Sequence, residues 1–241
     1  MCAYAIGTIP YTKAWDLQRR LVAARSSGEI GDLLLLLEHP PTITLGRAAR
    51  REHLLAEPAD LERHGVEVIE TDRGGDITFH GPGQIVGYPI VDLRAHRPDM
   101  HWYLRTLEQA LISFAASVGV KAHRCPPHTG VWVGDRKLAA IGVHARHWVT
   151  SHGFALNVSD LREWFDLIVP CGLHELGVTS LQAELGYPME PRALLKDLAR
   201  CIGGHFPCTL DVDHPTVRAW RENCRGILAD ALDPGCVTVL D

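Results

Sequence analysis

The sequence predicts an α+β fold in which helices flank a central mixed β-sheet. Candidate strands and helices follow one another without the strict βαβ alternation of a doubly wound fold. Of the 241 residues, 46% are hydrophobic and 22% are charged, which is enough to bury a substantial core. We therefore predict a single domain over residues 1–241, with a mainly helical C-terminal part from about residue 178.

The first half of the chain predicts short strands and helices. Apolar residues at helical spacing indicate a first helix over residues 11–25. A run of leucines indicates a buried strand over residues 32–38, which Pro40 and Pro41 must end. The same criteria predict a strand over 42–45, a short helix over 58–64, and strands over 66–71, 77–79 and 84–89.

The second half contains the longest helical pattern. Leu104, Leu107 and Leu111 lie along one face and predict a helix over residues 100–118. Asp160 is placed to cap a short helix that follows it. The other predicted elements are strands over 131–133, 137–143 and 153–158, and helices over 178–185 and 191–202.

Composition excludes several classes of protein. The net charge of −5 argues against binding nucleic acid, because phosphate neutralisation requires clustered Lys and Arg. The longest aliphatic run, Leu33 to Leu37, is far short of a bilayer span, and the opening MCAYAIGTIP lacks the basic start of a signal peptide. The seven cysteines include no C-x-x-C pair. We predict a cytoplasmic protein with no metal and with no nucleic-acid or membrane partner.

One cysteine stands in an unusual local sequence. Cys171 lies between Pro170 and Gly172 at the end of an apolar run. Proline fixes its own φ and has no N–H, and glycine adopts conformations that other residues avoid. Cys171 is therefore expected at a turn with its side chain in a cleft, where a nucleophile is useful. The alternative is a small buried hydrophobe at a loop corner.

Three glycine-rich stretches accompany this cysteine: RGGDITFHGPGQ at 73–84, GDRKLAAIGVH at 134–144 and HGFALNV at 152–158. None has the spacing of a dinucleotide fingerprint or a Walker A loop. They are either tight turns or parts of one concave surface that admits an extended ligand. Lys137, one of only four lysines, begins an apolar strand. It is either an exposed strand-edge charge or a partner of Cys171.

These stretches, together with VPCG at 169–172, closely resemble the lipoate-biosynthetic octanoyltransferases from about Pro40 to Leu185. The resemblance implies the fold of biotin and lipoate protein ligases, and a single octanoyltransferase catalytic domain without a cofactor. It further implies transfer of an octanoyl group from octanoyl-acyl carrier protein to a lysine of a lipoyl domain. Such acceptors are the E2 subunits of 2-oxoacid dehydrogenases and the H protein of glycine cleavage.

The resemblance also assigns residues. The catalytic cysteine and lysine of the family match Cys171 and Lys137. His144 is a departure, since many relatives carry arginine there. The residues that match the acyl-binding site of the family are Arg73, Gly74, Gly75, Thr78, His80, Ile141, Gly142, His152, Gly153, Phe154 and Ala155, and we predict that His144 also binds substrate.

Elementary chemistry suggests how Lys137 serves such a reaction. Lowering a cysteine pKa by about two units raises the thiolate fraction about 25-fold but costs about 6- to 10-fold in nucleophilicity. The net gain is only a few-fold. An attacking lysine, by contrast, is less than about one part in a thousand free base at pH 7. We therefore predict that Lys137 chiefly moves protons while Cys171 holds the acyl group, with the Gly172 N–H as a candidate oxyanion donor.

Three other functions remain open from the sequence. An ATP-dependent lipoate or biotin ligase on the same fold would use Lys137 to hold an adenylate. A non-catalytic binding module for a carrier protein would keep the groove without turnover. An amidotransferase between two lipoyl domains would share the thiol chemistry and differ in its donor.

Overall fold

The structure is a computed structural model that describes residues 1–170, 176–207, 214–233 and 236–240. Within these ranges nine strands form a large mixed sheet and three form a smaller one. Helices cover both faces of the large sheet. The predicted architecture, a central mixed sheet flanked by helices, is confirmed.

The elements are as follows in chain order. The strands are β1 (Cys2–Thr8), β2 (Leu33–Glu38), β3 (Thr42–Leu45), β4 (Glu67–Glu70), β5 (Ile77–His80), β6 (Gln84–Ile90), β7 (His123–Cys125), β8 (His128–Val133), β9 (Arg136–Arg146), β10 (Val149–Asn157), β11 (Gly177–Val178) and β12 (Thr238–Leu240). The helices are α1 (Tyr11–Ser27), α2 (Pro58–Arg63), α3 (Met100–Ser117), α4 (Arg162–Phe165), α5 (Leu181–Leu185), α6 (Pro191–His205) and α7 (Pro215–Ala231).

The strand order of the large sheet is β12-β1-β2-β6-β10-β9-β8-β7, and β11 pairs with β9 beside this path. The β1–β2 and β9–β11 pairs are parallel, and the other pairs in this sheet are antiparallel. In the small sheet β3 runs parallel to β4 and antiparallel to β5. Each of the two sheets therefore contains both parallel and antiparallel strand pairs.

Three apolar clusters hold the layers together. Leu34 and Leu36 of β2 pack on the side of α3 and α6, whereas Leu33, Leu35 and Leu37 pack on the side of α1 and α7. A strand that is buried on both faces reads as a continuous apolar run, which explains the five leucines. The third cluster lies under the small sheet, where Phe79 stacks on Trp164 of α4 with ring centroids 5.0 Å apart.

Strand β9 pairs with three other strands of the large sheet. Its later part pairs with β10, and its first residues pair with β8 on one side and β11 on the other. Gly177 and Val178 of β11 lie opposite Arg136 and Lys137. The chain that follows residues 171–175 therefore returns to the start of β9.

Two local predictions were tested at helix starts. The helix predicted from residue 178 begins only at Leu181, because Val178 is already paired in β11. Ser180 caps this helix, since its side chain accepts a hydrogen bond from the Ala183 N–H. Asp160, predicted to cap α4, accepts a hydrogen bond from the Arg162 N–H, but the capping position itself is Leu161, one residue later. Strands β1, β7, β11 and β12 and helix α7 were not predicted.

No helix in the described ranges is long and apolar enough to cross a bilayer.

Candidate active site

A cavity of about 50 Å³ lies between the loop before β5 and strands β6, β9 and β10. Its walls bring together the three glycine-rich stretches, which are distant in sequence. This placement favours one concave ligand surface over three unrelated turns. The predicted residues that line it are Arg73, Gly74, Gly75, Thr78, His80, Ile141, Gly142, His152, Gly153, Phe154 and Ala155.

Some lining residues were not selected from the sequence. Asp76 and Ala140 lie within the glycine-rich stretches, so their position in those motifs was a usable signal. Tyr11 and Tyr88 come from α1 and β6 and gave no local signal. Conversely, His144 is not a lining residue. The remaining unselected residues are Ile77 and Val86.

His144 instead faces Asp72, with its Nε2 3.9 Å from Asp72 Oδ2. Asp72 directly precedes the RGG loop, and its carboxylate also accepts a hydrogen bond from His152. His144 therefore contacts the support of the loop and does not line the cavity.

The Arg73 guanidinium is buried, with only 6% of the residue exposed. Its Nε and Nη2 donate to Thr44 Oγ1 at 3.1 and 2.9 Å, and Nη2 also donates to the Thr44 carbonyl at 2.6 Å. Its Nη1 donates to the Gly74 carbonyl at 3.1 Å. A buried cation requires such acceptors because it has lost its hydration. These bonds fasten the RGG loop to strand β3 of the small sheet.

The RGG loop also rests directly on the large sheet. The Gly74 N–H donates to the Val143 carbonyl at 2.9 Å. A Cβ atom on Gly142 would stand 2.8 Å from the Gly74 carbonyl oxygen, and one on Gly153 would stand 2.1 Å from that of Gly87. These glycines are therefore required by close approach of backbone to backbone, which a side chain would prevent.

His152 has a positive φ of 55°, which is uncommon for a residue with a side chain. Three contacts hold it in this conformation. Its N–H donates to Gln18 Oε1 at 2.7 Å, its Nε2 donates to Asp72 at 2.7 Å, and its Nδ1 accepts from the Tyr11 hydroxyl at 3.2 Å. Burial holds the pKa of His152 below its usual value. Helix α1 and the RGG loop thus meet at one neutral imidazole.

Two further buried histidines, His39 and His80, are neutral at pH 7. Burial lowers the pKa of His39 to about 4. Its Nδ1–H donates to the Ile9 carbonyl at 2.7 Å, so its Nε2 accepts from the Tyr88 hydroxyl at 2.8 Å. Burial, together with His39 and Arg73, holds the pKa of His80 well below its usual value.

A chain of hydrogen bonds leads from His80 towards β9. The His80 Nδ1–H donates to Gln84 Oε1 at 2.9 Å, and Gln84 Nε2 donates to Asn157 Oδ1 at 2.9 Å. Asn157 Nδ2 donates to the Thr179 carbonyl at 2.9 Å, and the Thr179 N–H donates to the Lys137 carbonyl at 3.0 Å. The cavity wall is therefore connected to the backbone of Lys137 by polar groups.

Lys137 is buried, with 6% of the residue exposed, so it is not an exposed strand-edge charge. Its Nζ lies 4.8 Å from the ring centroid of Trp132. Cys171 lies outside the described residues. The described residues on both sides of it are paired with other parts of the chain. Before it, the Val169 N–H donates to the His53 carbonyl at 2.8 Å, and after it, Val178 pairs with Lys137.

Comparison with known proteins places this chain in a family. Residues 10–203 match the family model of the lipoyl protein ligase A/B catalytic domain. The chain therefore belongs to the family defined by this catalytic domain.

Its relatives narrow the class further. An octanoyltransferase of Solibacter usitatus is 50% identical over 212 residues, covering 88% of this chain and 94% of that protein. An octanoyltransferase of Rubrobacter xylanophilus is 56% identical over 182 residues, covering 75% and 81%. These relatives confirm the resemblance to octanoyltransferases that the sequence motifs indicated.

Solved structures support the fold. A putative lipoate protein ligase from T. acidophilum superposes with a TM-score of 0.67 at 12% identity, covering 93% of this chain and 92% of that one. A lipoate-protein ligase A bound with ATP superposes with a TM-score of 0.68 at 14% identity, covering 93% and 95%. The predicted lipoate ligase-like fold is thus confirmed.

We expect the buried histidines to make stability fall below neutral pH. Between pH 6.5 and 5, His39 becomes protonated in the unfolded chain but stays neutral in the folded chain, where its pKa is about 4. The free energy of unfolding should therefore fall by about 2 kcal/mol because of this ring alone. Urea unfolding at pH 7 and pH 5 measures the difference. His39→Gln should shrink it by about that amount, and His101→Gln, at an exposed position, should leave it unchanged. An unchanged difference in His39→Gln would contradict a neutral His39.

Gly142→Ala should loosen the RGG loop, because the new methyl group would stand 2.8 Å from the Gly74 carbonyl oxygen. Hydrogen exchange at the Gly74 amide, which is bonded to Val143, measures this effect and should accelerate. The control is Gly203→Ala, since no atom lies within 4 Å of its added Cβ. Equal protection of the Gly74 amide in both variants would show that Gly142 is not needed for close approach.

Proposed function

We propose that this protein is a cytoplasmic octanoyltransferase that uses Cys171 and Lys137 as its catalytic pair. The observation that carries the proposal is that the three glycine-rich stretches line one cavity. Strand β9, which contributes one of these stretches, also carries the buried Lys137. The octanoyltransferase names of its relatives support the reaction type. The donor is octanoyl-acyl carrier protein. The acceptors are lipoyl domains of 2-oxoacid dehydrogenase E2 subunits and the glycine cleavage H protein.

The apolar part of the cavity wall favours the methylenes of an acyl chain. Ile77, Val86 and Phe154 supply apolar walls, and burial of each methylene of the substrate contributes about 0.8 kcal/mol. The glycines at 142 and 153 let neighbouring backbone approach closely, which brings the segments of the cavity wall together. Arg73 and His80 add polar side chains to the cavity wall.

The first half-reaction loads the enzyme. The Cys171 thiolate attacks the thioester carbon of the donor, so a new C–S bond forms and the bond to the carrier sulfur breaks. The Lys137 ammonium gives its proton to the departing carrier thiolate. The enzyme then holds the acyl group as a thioester, with Lys137 neutral.

The second half-reaction transfers the acyl group to the acceptor. The lysine amine of the lipoyl domain attacks the thioester, an amide bond forms, and the bond to Cys171 breaks. Neutral Lys137 takes the proton that the amine must lose, which restores its ammonium form. Formation of an amide from a thioester is downhill, so no nucleotide is consumed. An ATP-dependent ligase would instead release pyrophosphate, which separates this alternative experimentally.

We expect octanoyl-acyl carrier protein to leave one octanoyl group on the enzyme, removable by hydroxylamine as a thioester is. Intact mass after mixing, without ATP, tests this result. Cys171→Ser should remain unmodified under the same treatment, whereas Cys125→Ser should load normally. Product formation with no mass change would replace the covalent route by direct transfer in a ternary complex.

Lys137→Arg separates proton transfer from simple electrostatics. Arginine keeps the charge but stays protonated at any workable pH, so it cannot act as a base. Octanoyl transfer to a lipoyl domain should fall by about two to four orders of magnitude, the range for loss of a general acid–base group. Alkylation of Cys171 should change far less. Near-normal transfer between pH 6 and pH 8 would refute the proton-transfer role.

A further inference from the structure

We propose that Trp132 is a positioning residue for Lys137: its indole face holds the Lys137 ammonium where the proton transfers of the reaction take place. This inference rests on the function proposed above for Lys137. The Nζ atom lies 4.8 Å from the Trp132 ring centroid, which is within the range of a cation–π contact.

An irregularity in the sheet creates this contact. Val131 lies opposite Ala139, but the next pair is Trp132 with Lys137, so the register shifts by one residue. Leu138 is therefore an extra residue in β9, as in a β-bulge. Directly opposed residues of antiparallel strands project to the same face of a sheet. The shift at Leu138 thus gives Lys137 the indole as its cross-strand neighbour.

The indole is used through its face and not through its N–H. Trp132 is fully buried, and its Nε1 has no hydrogen-bond partner among the described residues. An unsatisfied buried donor is unfavourable, and an apolar residue of similar size would avoid it. A tryptophan that serves only to fill the core is therefore a poor choice here. Contact of its electron-rich face with an ammonium group gives the ring a use that no aliphatic side chain can replace.

Gly130, which lies beside the indole, also makes this contact possible. A Cβ atom on Gly130 would stand 2.7 Å from the Ala139 carbonyl oxygen and 3.6 Å from Lys137 Cε, so glycine leaves room for the lysine side chain. The Gly130 N–H donates to Oε1 of Glu108 at 3.1 Å. Strand β8 is thereby fixed next to Trp132 by a residue of α3.

The Glu108 carboxylate that fixes Gly130 is itself held firmly. It is completely buried, and its Oε2 accepts from Arg105 Nη1 at 2.6 Å and from Arg124 Nε at 3.0 Å. Two guanidinium groups therefore satisfy the buried carboxylate. The wall on which Lys137 lies is therefore held on this side by hydrogen bonds to a buried carboxylate.

Fixing the ammonium matters because a lysine side chain has many rotamers. Both proposed half-reactions require Nζ within hydrogen-bond reach of a reacting atom. Loss of a cation–π contact corresponds to about a 2- to 30-fold change in the population of the held conformation, depending on how dry the site is. A fall in octanoyl transfer of this size is expected in Trp132→Leu. Trp132→Phe keeps an aromatic face and should recover most of the rate.

Lysine NMR tests the contact without any turnover. The chain has only four lysines, so lysine labelled at Cε gives four signals, and the Lys137→Arg variant identifies that of Lys137. The Hε protons of Lys137 should be shifted upfield by the indole ring current. This shift should vanish in Trp132→Leu and persist in reduced form in Trp132→Phe. The control is Trp102→Leu, which removes a partly buried indole of α3 and should leave the signal unchanged.

A double-mutant cycle tests whether Trp132 acts through Lys137. Trp132→Leu should slow octanoyl transfer in the wild-type background and have no further effect in the Lys137→Arg background. An equal loss in both backgrounds would make Trp132 a structural residue only. An upfield-shifted Lys137 signal in a Trp132→Leu variant, or full activity of that variant, would overturn the positioning role alone. Full activity of Lys137→Arg would instead overturn the proposed role of Lys137 itself.

Discussion

The buried guanidinium of Arg73 is the constraint on which the site depends. Because it has lost its hydration, it must find oxygen acceptors, and it finds them at Thr44 and Gly74. Thr44 belongs to the small sheet, while the loop of Gly74 lies on Val143 of the large sheet. Arg73 and the loop that it fastens thereby connect the two sheets beside the cavity, which lies between them.

A second constraint is the network of hydrogen bonds that begins at His80, a residue of the cavity wall. Burial keeps the imidazole of His80 neutral, and a neutral ring can both donate and accept. It donates to Gln84 Oε1, and Thr44 Oγ1 lies 3.3 Å from its other nitrogen. The relay continues through Asn157 to Thr179, so that both sheets and the strand beside Lys137 share one set of hydrogen bonds. Such fully satisfied networks favour a single arrangement over slightly different ones.

Local periodicity predicted the elements that local forces determine. The leucine run of β2 and the apolar face of α3 were found because burial on two faces or on one stripe leaves a pattern in the sequence. The glycine-rich stretches likewise identified most of the cavity wall. Strand β11 could not be found, since two residues have no pattern and become a strand only by pairing with β9. The positive φ of His152 was equally hidden, because its supports Gln18 and Asp72 are remote in sequence.

The parallel pairing of β11 with β9 also orders the assembly of the site during synthesis. All described residues that line the cavity lie between Tyr11 and Ala155, so a growing chain contains this part of the cavity wall before Gly177 is made. Proteins emerge from the ribosome N-terminus first, and distant pairings close late because they cost the most chain entropy. The ligand surface can therefore be buried before β11 docks beside Lys137. A nascent chain in this state has a formed pocket, while the start of β9 still lacks its β11 partner.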